Sequence, residues 1–224
     1  MSEVLITLGI IGIVAALTMP ALIKNYQKNI TISRLKKVYS VLSQAVLFSV
    51  RDNGEVENWN FDLDQQEFMD KYLSDYFKHI VRIEDSSIDP ERRSKAYFLE
   101  DGTVFQGWMF KNRRPEAYNV TTFYKIYVDI NGNKKPNQNG HDKFVFYIFP
   151  KARAFYNTGI GDCAINIPAG GLYPDGYGYS RDVLLNDSWR GCRRKNDGDN
   201  AGAEFGAFCT ALIMLDGWNI DYKL

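Results

Sequence analysis

The N-terminal residues 1–24 carry the feature that most limits how this chain can fold. From Val4 to Ile23 no side chain is charged, and only Thr7 and Thr18 are polar. As a helix rising ~1.5 Å per residue, a run of about 20 residues spans about 30 Å, the thickness of the hydrocarbon core of a bilayer. The rest of the chain is then expected to be a domain attached to this helix.

Three interpretations of the apolar run compete. A secretory signal peptide needs basic residues before a shorter apolar core and a cleavage site of small residues, and this run has neither. A buried core helix is rarely apolar on every face. A transmembrane anchor accounts for both the length and the all-round apolar character. We therefore predict that residues 1–24 insert in a membrane.

Four residues in the run or directly before it are candidates for a role in helix packing. Glu3 places a carboxylate at the edge of the hydrocarbon, where it needs a cationic partner or must lie in the headgroup zone near the helix N-terminus. Pro20 lacks a backbone donor and is expected to kink the helix. Gly9 and Gly12 let a neighbouring helix approach closely. These positions predict contacts with other helices.

The segment Ser2–Pro20, SEVLITLGIIGIVAALTMP, resembles the N-terminal segment of type IV pilins and type II secretion pseudopilins. In that family a basic leader ends in glycine before a phenylalanine, and a prepilin peptidase cuts there and methylates the new amine. The resemblance places Glu3 on the family's glutamate and Pro20 on its kinking proline. It implies a filament subunit whose Glu3 pairs with the amine of a neighbouring subunit.

The leader and the Gly-Phe junction precede this segment in the family, and Met1 falls where the family usually has leucine. Because a leucine codon such as TTG can start translation in bacteria, we expect codons upstream of Met1 to encode the leader. The resemblance implies a cytoplasmic N-terminus, whereas the positive-inside rule applied to this sequence alone favours the opposite orientation. The basic residues near the run all follow it: Lys24, Lys28, Arg34, Lys36 and Lys37.

The helix is predicted to continue as an amphipathic segment through residues 25–54. Apolar positions recur at helical spacing, and Asn53-Gly54 is a typical helix end. Asp64 and Glu67 have the spacing of a capping box, with aromatic residues at helical period after it as far as Ile80. The predicted packed positions of the long helix are Tyr26, Ile30, Leu35, Val38, Leu42, Ala45, Val46 and Ser49.

Residues 55–224 are predicted to form an extracytoplasmic α+β domain. A hairpin is expected around Asp101-Gly102, and 124–130 and 144–149 have the composition of a second strand pair. Short helices are expected at 180–186 and 205–215, the second with Gly217 as its C-cap. Strands that follow a long helix predict an antiparallel sheet packed on that helix, and the resemblance implies this same pilin-like architecture.

Three cysteines lie in the last third of the chain: Cys163, Cys192 and Cys209. In an exported protein they predict one disulfide and one remaining thiol, with three pairings open. We favour the pair Cys192–Cys209, which would close a polar, glycine-rich loop.

The loop between the second pair of strands is the one candidate metal site. Asp129, Asn131 and Asn133 alternate like the first ligands of a calcium loop, but Gly140 occupies the twelfth position, where an EF-hand has glutamate. Asp142 is a candidate replacement. The loop also resembles, more loosely, the calcium loop of some major pseudopilins. Long hairpin loops use the same residue types to cap their own backbone, so Ca²⁺ remains one of two interpretations.

The sequence favours a structural role over catalysis. It has two histidines and lacks the spacings of a zinc-binding helix or a serine-nucleophile elbow. Its 27 basic and 27 acidic residues give no net charge, which disfavours nucleic acid as a partner.

Two hypotheses follow. In the first, the chain is a pilin or pseudopilin-like subunit of a type IV pilus or type II secretion filament. The resemblance then implies as partners copies of the chain itself, other pilin-like subunits, an inner-membrane assembly platform and prepilin peptidase. It implies the bacterial inner membrane before assembly and a cell-surface or periplasmic filament afterwards. In the second, the chain is a membrane-anchored extracytoplasmic domain whose aromatic, glycine-rich segment binds a ligand such as a sugar.

Overall fold

The protein combines one long N-terminal helix with an antiparallel sheet, so its class is α+β as predicted. The computed structural model describes residues 2–78, 80–85, 94–111, 122–132, 134–151, 153–156, 164–168, 170–194 and 203–222, with backbone only for 2–3, 153–156 and 164–167.

Four helices and eight strands are described. The helices are α1 (Ser2–Asn53), α2 (Gln65–Tyr72), α3 (Arg181–Asn186) and α4 (Cys209–Leu215), with 3₁₀ turns at Val56–Asn58 and Ser74–Tyr76. The strands are β1 (Ile80–Asp85), β2 (Lys95–Leu99), β3 (Val104–Lys111), β4 (Thr122–Asp129), β5 (Lys143–Ile148), β6 (Arg153–Tyr156), β7 (Ala164–Ile167) and β8 (Leu172–Pro174). Six strands form one antiparallel sheet in the order β1-β2-β3-β4-β5-β8, and β6 pairs with β7 separately.

The helix α1 has two halves with different surroundings. Its second half packs on the domain through an apolar stripe that includes Leu35 and Leu42, both with 0% exposure. Tyr26, predicted to lie on this packed face, is instead 66% exposed, because the domain contacts α1 only from about residue 28 onward. In the first half, the most apolar stretch of 18 residues has a mean hydropathy of 2.3, and none of these residues is buried. Within the described residues, α1 is the single helix with the length and composition of a membrane span. A signal sequence can have the same length and composition.

The two faces of the sheet pack against different parts of the chain. Alternate residues of β3, β4 and β5 point toward α1 and α2 and form the main core, as the period of two along a strand requires. The opposite face carries a second cluster around Tyr147 and Phe149. A third cluster, around the Cys192–Cys209 disulfide, lies in the C-terminal segment that holds α3 and α4.

Several predicted elements are confirmed in detail. The helix α1 ends at Asn53, and Gly54 follows with φ of +80°. The carboxylate of Asp64 accepts hydrogen bonds from the N–H groups of Gln66 and Glu67, while Glu67 accepts from the N–H of Asp64, which completes the capping box. The turn at Gly102, with φ of +84°, joins β2 to β3 as expected.

Other boundaries differ from the prediction. The helical spacing of apolar residues continues as far as Ile80, but α2 ends at Tyr72, because Leu73 leaves the helical conformation. Ile80 instead begins the edge strand β1. The last helix begins at Cys209 rather than at 205, and its C-cap is Asp216, with Gly217 one position beyond it at φ of +70°. Strands β6 to β8 were not predicted; they are only three or four residues long.

Candidate functional site

The exposed half of α1 carries the residues that sequence reasoning assigned to assembly. Val4 to Ile23 are helical and all but one of them are exposed. A Cβ atom added at Gly9 or Gly12 would meet nothing within 4 Å, so the chain's own fold does not require glycine at either position. Pro20 lies inside the helix, and the side chain of Glu3 lies outside the described part of the structure.

The two polar side chains of this half are satisfied within the helix. The hydroxyl of Thr7 donates to the carbonyl of Val4 at 3.0 Å, and that of Thr18 donates to the carbonyl of Val14 at 2.9 Å. A hydrogen bond from a hydroxyl to a carbonyl of the preceding helical turn satisfies the hydroxyl donor without water. The helix surface therefore presents apolar groups to its surroundings on every side.

The 129–142 loop lies where the domain first meets α1. Its carbonyl oxygens accept from α1: Ile130 from the guanidinium of Arg34 at 3.3 Å, and His141 from the hydroxyl of Thr31 at 3.5 Å. Thr31 is eight residues beyond Ile23, or about 12 Å along the helix axis. The loop therefore lies at the end of the domain that faces the apolar half of α1.

Inside this loop, Asp142 organises the backbone. The side chain is 2% exposed, and its two oxygens accept from the N–H of Gln138 at 2.7 Å, the N–H of Asn137 at 2.8 Å and the amide of Asn131 at 3.2 Å. These bonds close the loop without any ion. The sequence placed Asp142 among the metal ligands, and the structure gives it this capping role in addition.

Two observations nevertheless fit a cation in the loop. The Oδ1 atom of Asn131 is buried and has no hydrogen-bond partner among the described residues. The pKa of Asp129 is raised to about 6, mainly by burial. The hydrogen bond from the N–H of Asn131 lowers this pKa, and the negative charge of Asp142 raises it. A hard cation would satisfy the amide oxygen and stabilise the two carboxylates. Asn133 lies outside the described residues, and no cluster of three His, Cys, Asp or Glu side chains occurs among the residues described.

Two clefts flank α1 next to this loop. The first, of about 470 Å³, lies between α1, the loop and the C-terminal tail. The second, of about 410 Å³, shares Lys24, Lys28 and Tyr222 with the first and extends toward α3 and Arg193. The first is lined by Lys24, Gln27, Lys28, Thr31, Gly140, His141, Arg194, Ile220 and Tyr222. Sequence reasoning missed both clefts because their walls come from four separate segments.

Comparison with known proteins identifies a family but no activity. Residues 21–223 match the model of DUF6613, described as a family of unknown function. The chain belongs to this family. No curated protein and no solved structure matches it. The match includes the 129–142 loop, the clefts and the disulfide of this DUF6613 protein.

The C-terminal segment of this DUF6613 protein is held by a disulfide and a half-buried ion pair. Cys192 and Cys209, the pair favoured from sequence, are bonded with their Cα atoms 4.8 Å apart, and Cys163 lies outside the described residues. Arg190 lies 3.4 Å from the carboxylate of Asp175, whose side chain is 3% exposed. The negative charge of Asp175 raises the pKa of Arg190. The Oδ2 atom of Asp175 has no hydrogen-bond partner in the described part of the chain.

The aromatic, glycine-rich segment of this protein is largely used for packing. Tyr173 lies against Phe149 with ring centroids 6.3 Å apart, and Tyr179 lies against Phe208 at 5.4 Å. Tyr177 is the more exposed member at 40%. These contacts give the segment a structural task, so the aromatic residues that suggested a sugar-binding surface contribute to the fold.

Proposed function

We propose that this protein is a pilin-like subunit that assembles into a filament of the type IV pilus or type II secretion kind through the exposed half of α1. The observation that carries the proposal is one uninterrupted helix, Ser2–Asn53, with an apolar half left uncovered by the domain and a second half packed on an antiparallel sheet. An exposed apolar surface of this extent needs a membrane or other helices around it.

The same helix would serve two states in turn. Before assembly its apolar half spans the bacterial inner membrane, with the N-terminus in the cytoplasm and the domain outside. In the filament, copies of this half pack together, with Gly9 and Gly12 allowing close approach and Glu3 pairing with the N-terminal amine of a neighbour. Other pilin-like subunits, the inner-membrane assembly platform and prepilin peptidase are the partners that this role requires, and the role itself is structural rather than enzymatic.

The alternative is a membrane-anchored domain that binds a ligand outside the cytoplasm. An anchor of this kind needs apolar length but no particular residue within it, whereas a filament subunit needs Glu3. The packing of Tyr173 and Tyr179 within the fold favours the filament role.

Glu3→Ala is expected to abolish incorporation of the subunit into filaments while leaving it folded and membrane-bound. The reason is that a carboxylate within an apolar helix bundle contributes chiefly through a cationic partner. The measurement is the amount of subunit in sheared or purified filaments, compared with the amount in the membrane fraction. Glu57→Ala, which removes an exposed acid in the domain, is the matched control and should assemble normally. Normal assembly of Glu3→Ala would favour the anchored binding domain.

We also propose that the 129–142 loop binds Ca²⁺, on the strength of the orphaned Asn131 oxygen beside Asp129 and Asp142. Isothermal titration of the full chain in detergent is expected to show one site with a dissociation constant of about 0.1–1 mM, the range of extracellular calcium modules. Ca²⁺ should also raise the melting temperature, because it binds only the folded state.

Asp129→Asn is expected to remove both calcium effects, since it removes a charged ligand without changing the size of the side chain. Asp62→Asn, a change at an exposed acid outside the loop, is the control. No heat of binding at millimolar Ca²⁺ would leave Asp142 with its capping role alone.

A further inference from the structure

The two clefts beside α1 have a charge and a position that the filament role does not use. Lys24 and Lys28 line both clefts, while Arg194 lines the first and Arg193 the second. Asp221, in the second cleft, is the single acid among the described lining residues of the two. The clefts are therefore basic, although the chain as a whole has no net charge.

The cations of the first cleft are available to a ligand. Lys24 makes no hydrogen bond or ion pair within the described residues. The ammonium of Lys28 donates to the carbonyl of Ile220 at 2.8 Å, which orients it at the cleft wall and leaves two further N–H donors.

The position of these cations along α1 corresponds to the headgroup layer of a membrane. Lys24 directly follows Ile23, the last residue of the apolar run, and Lys28 is about 6 Å farther along the helix. The polar layer on each side of a bilayer is roughly 5–8 Å thick. If the apolar run fills the hydrocarbon, both ammonium groups lie at the depth of the lipid phosphates.

From these observations we infer that the basic cleft between Lys24, Lys28, His141 and Arg194 binds the phosphate of an anionic phospholipid headgroup. The acyl chains of that lipid lie along the exposed apolar surface of α1 that begins at Ile23. A lipid fits better than a soluble phosphate because the cleft opens beside this surface. The inference rests on the membrane insertion of α1 in the proposed function, and it is independent of filament assembly.

The bound lipid would hold the domain against the membrane. The cleft joins α1 to the loop through His141 and to the C-terminal tail through Tyr222, whose hydroxyl donates to the carbonyl of Gly140 at 2.7 Å. A headgroup bridging these three segments fixes the domain near the bilayer surface. Such a contact must be given up when the subunit leaves the membrane.

The test uses the full chain in detergent micelles with equal amounts of phosphatidylglycerol and phosphatidylcholine, and native mass spectrometry counts the lipids retained. The wild-type protein should retain one phosphatidylglycerol in preference to phosphatidylcholine. Lys24→Gln/Arg194→Gln should reduce this preference roughly 25-fold, since each cation near the lipid surface contributes about fivefold. Arg51→Gln/Lys71→Gln removes two exposed cations that line neither cleft and should keep the preference.

Each other outcome overturns the inference. Equal retention of both lipids by the wild-type protein, or an equal loss in the control variant, would show that the cleft does not select a headgroup. Tight binding of inorganic phosphate that competes with the lipid would assign the cleft to a soluble anion. Extraction of the wild-type protein from vesicles by alkaline carbonate is measured in parallel. If the protein is extracted, membrane insertion itself fails; if it stays while lipid selection is absent, only the cleft assignment fails.

Discussion

Gly107→Ala is expected to destabilise the domain by about 4 kcal/mol, from overpacking and the loss of a buried hydrogen bond. Gly107 lies on β3 beneath the ring of Tyr124, and an added Cβ would overlap the hydroxyl and lie 2.8 Å from Cε1. Tyr124 has 0% exposure, stacks on Phe68 with ring centroids 4.3 Å apart, and donates to the carbonyl of Gln65 at 2.9 Å. The ring therefore has no free space into which it can move.

Urea denaturation of the full chain in detergent measures this loss. Gly9→Ala is the matched control, because it makes the same chemical change where an added Cβ meets nothing, and it should leave the domain unaffected. Combining Gly107→Ala with Tyr124→Leu should destabilise by less than the sum of the two single changes, since the smaller side chain removes the overlap. Strict additivity would mean that the overlap with Tyr124 is not the cause.

Replacing both Cys192 and Cys209 with serine is expected to lower the free energy of unfolding by about 3 kcal/mol. The bond closes a loop with a sequence separation of 17, and the chain-entropy relation gives this value for such a loop. Both residues are buried beside Leu184 and Phe208, so the serine hydroxyls also enter an apolar cluster. The loss should fall on the segment that carries α3 and α4.

Unfolding in the presence of reductant provides an independent measurement of how much the Cys192–Cys209 disulfide contributes to stability. The wild-type protein with dithiothreitol should unfold at a urea concentration well below that of the oxidised protein and slightly above that of the double variant, because thiols suit the apolar cluster better than serine hydroxyls. Reductant should not change the variant further. Cys163→Ser is the control and should retain full stability with its response to reductant. A large loss of stability in Cys163→Ser would instead point to a pairing that includes Cys163.

Local sequence patterns predicted the elements that depend on few residues. The helix end at Asn53-Gly54 needs one residue with a left-handed conformation, and the capping box needs Asp64 and Glu67 at a fixed spacing. The hairpin at Gly102 likewise depends on its own turn. In each case the interactions lie within a few residues along the chain, so the sequence displays them directly.

The candidate site was only partly visible in the sequence. Asp129, Asn131 and Asp142 were selected as an ion-binding pattern, and their hydrogen bonds do bring Asn131 and Asp142 together. The capping role of Asp142 was missed because it depends on how the backbone at Asn137 and Gln138 folds back. The basic clefts were missed because Lys24 and Arg194 are far apart in sequence.

The sequence by itself determined the long helix and its division into an apolar and an amphipathic half. It also determined the alternating side-chain pattern of the strands, which together with the helix makes the chain α+β. These follow from backbone hydrogen bonding and side-chain periodicity, which act over short distances along the chain. Only the tertiary structure decided that Cys192 meets Cys209 and that four segments enclose the clefts beside α1. Those outcomes depend on packing between distant segments, and no local pattern in the sequence specifies it.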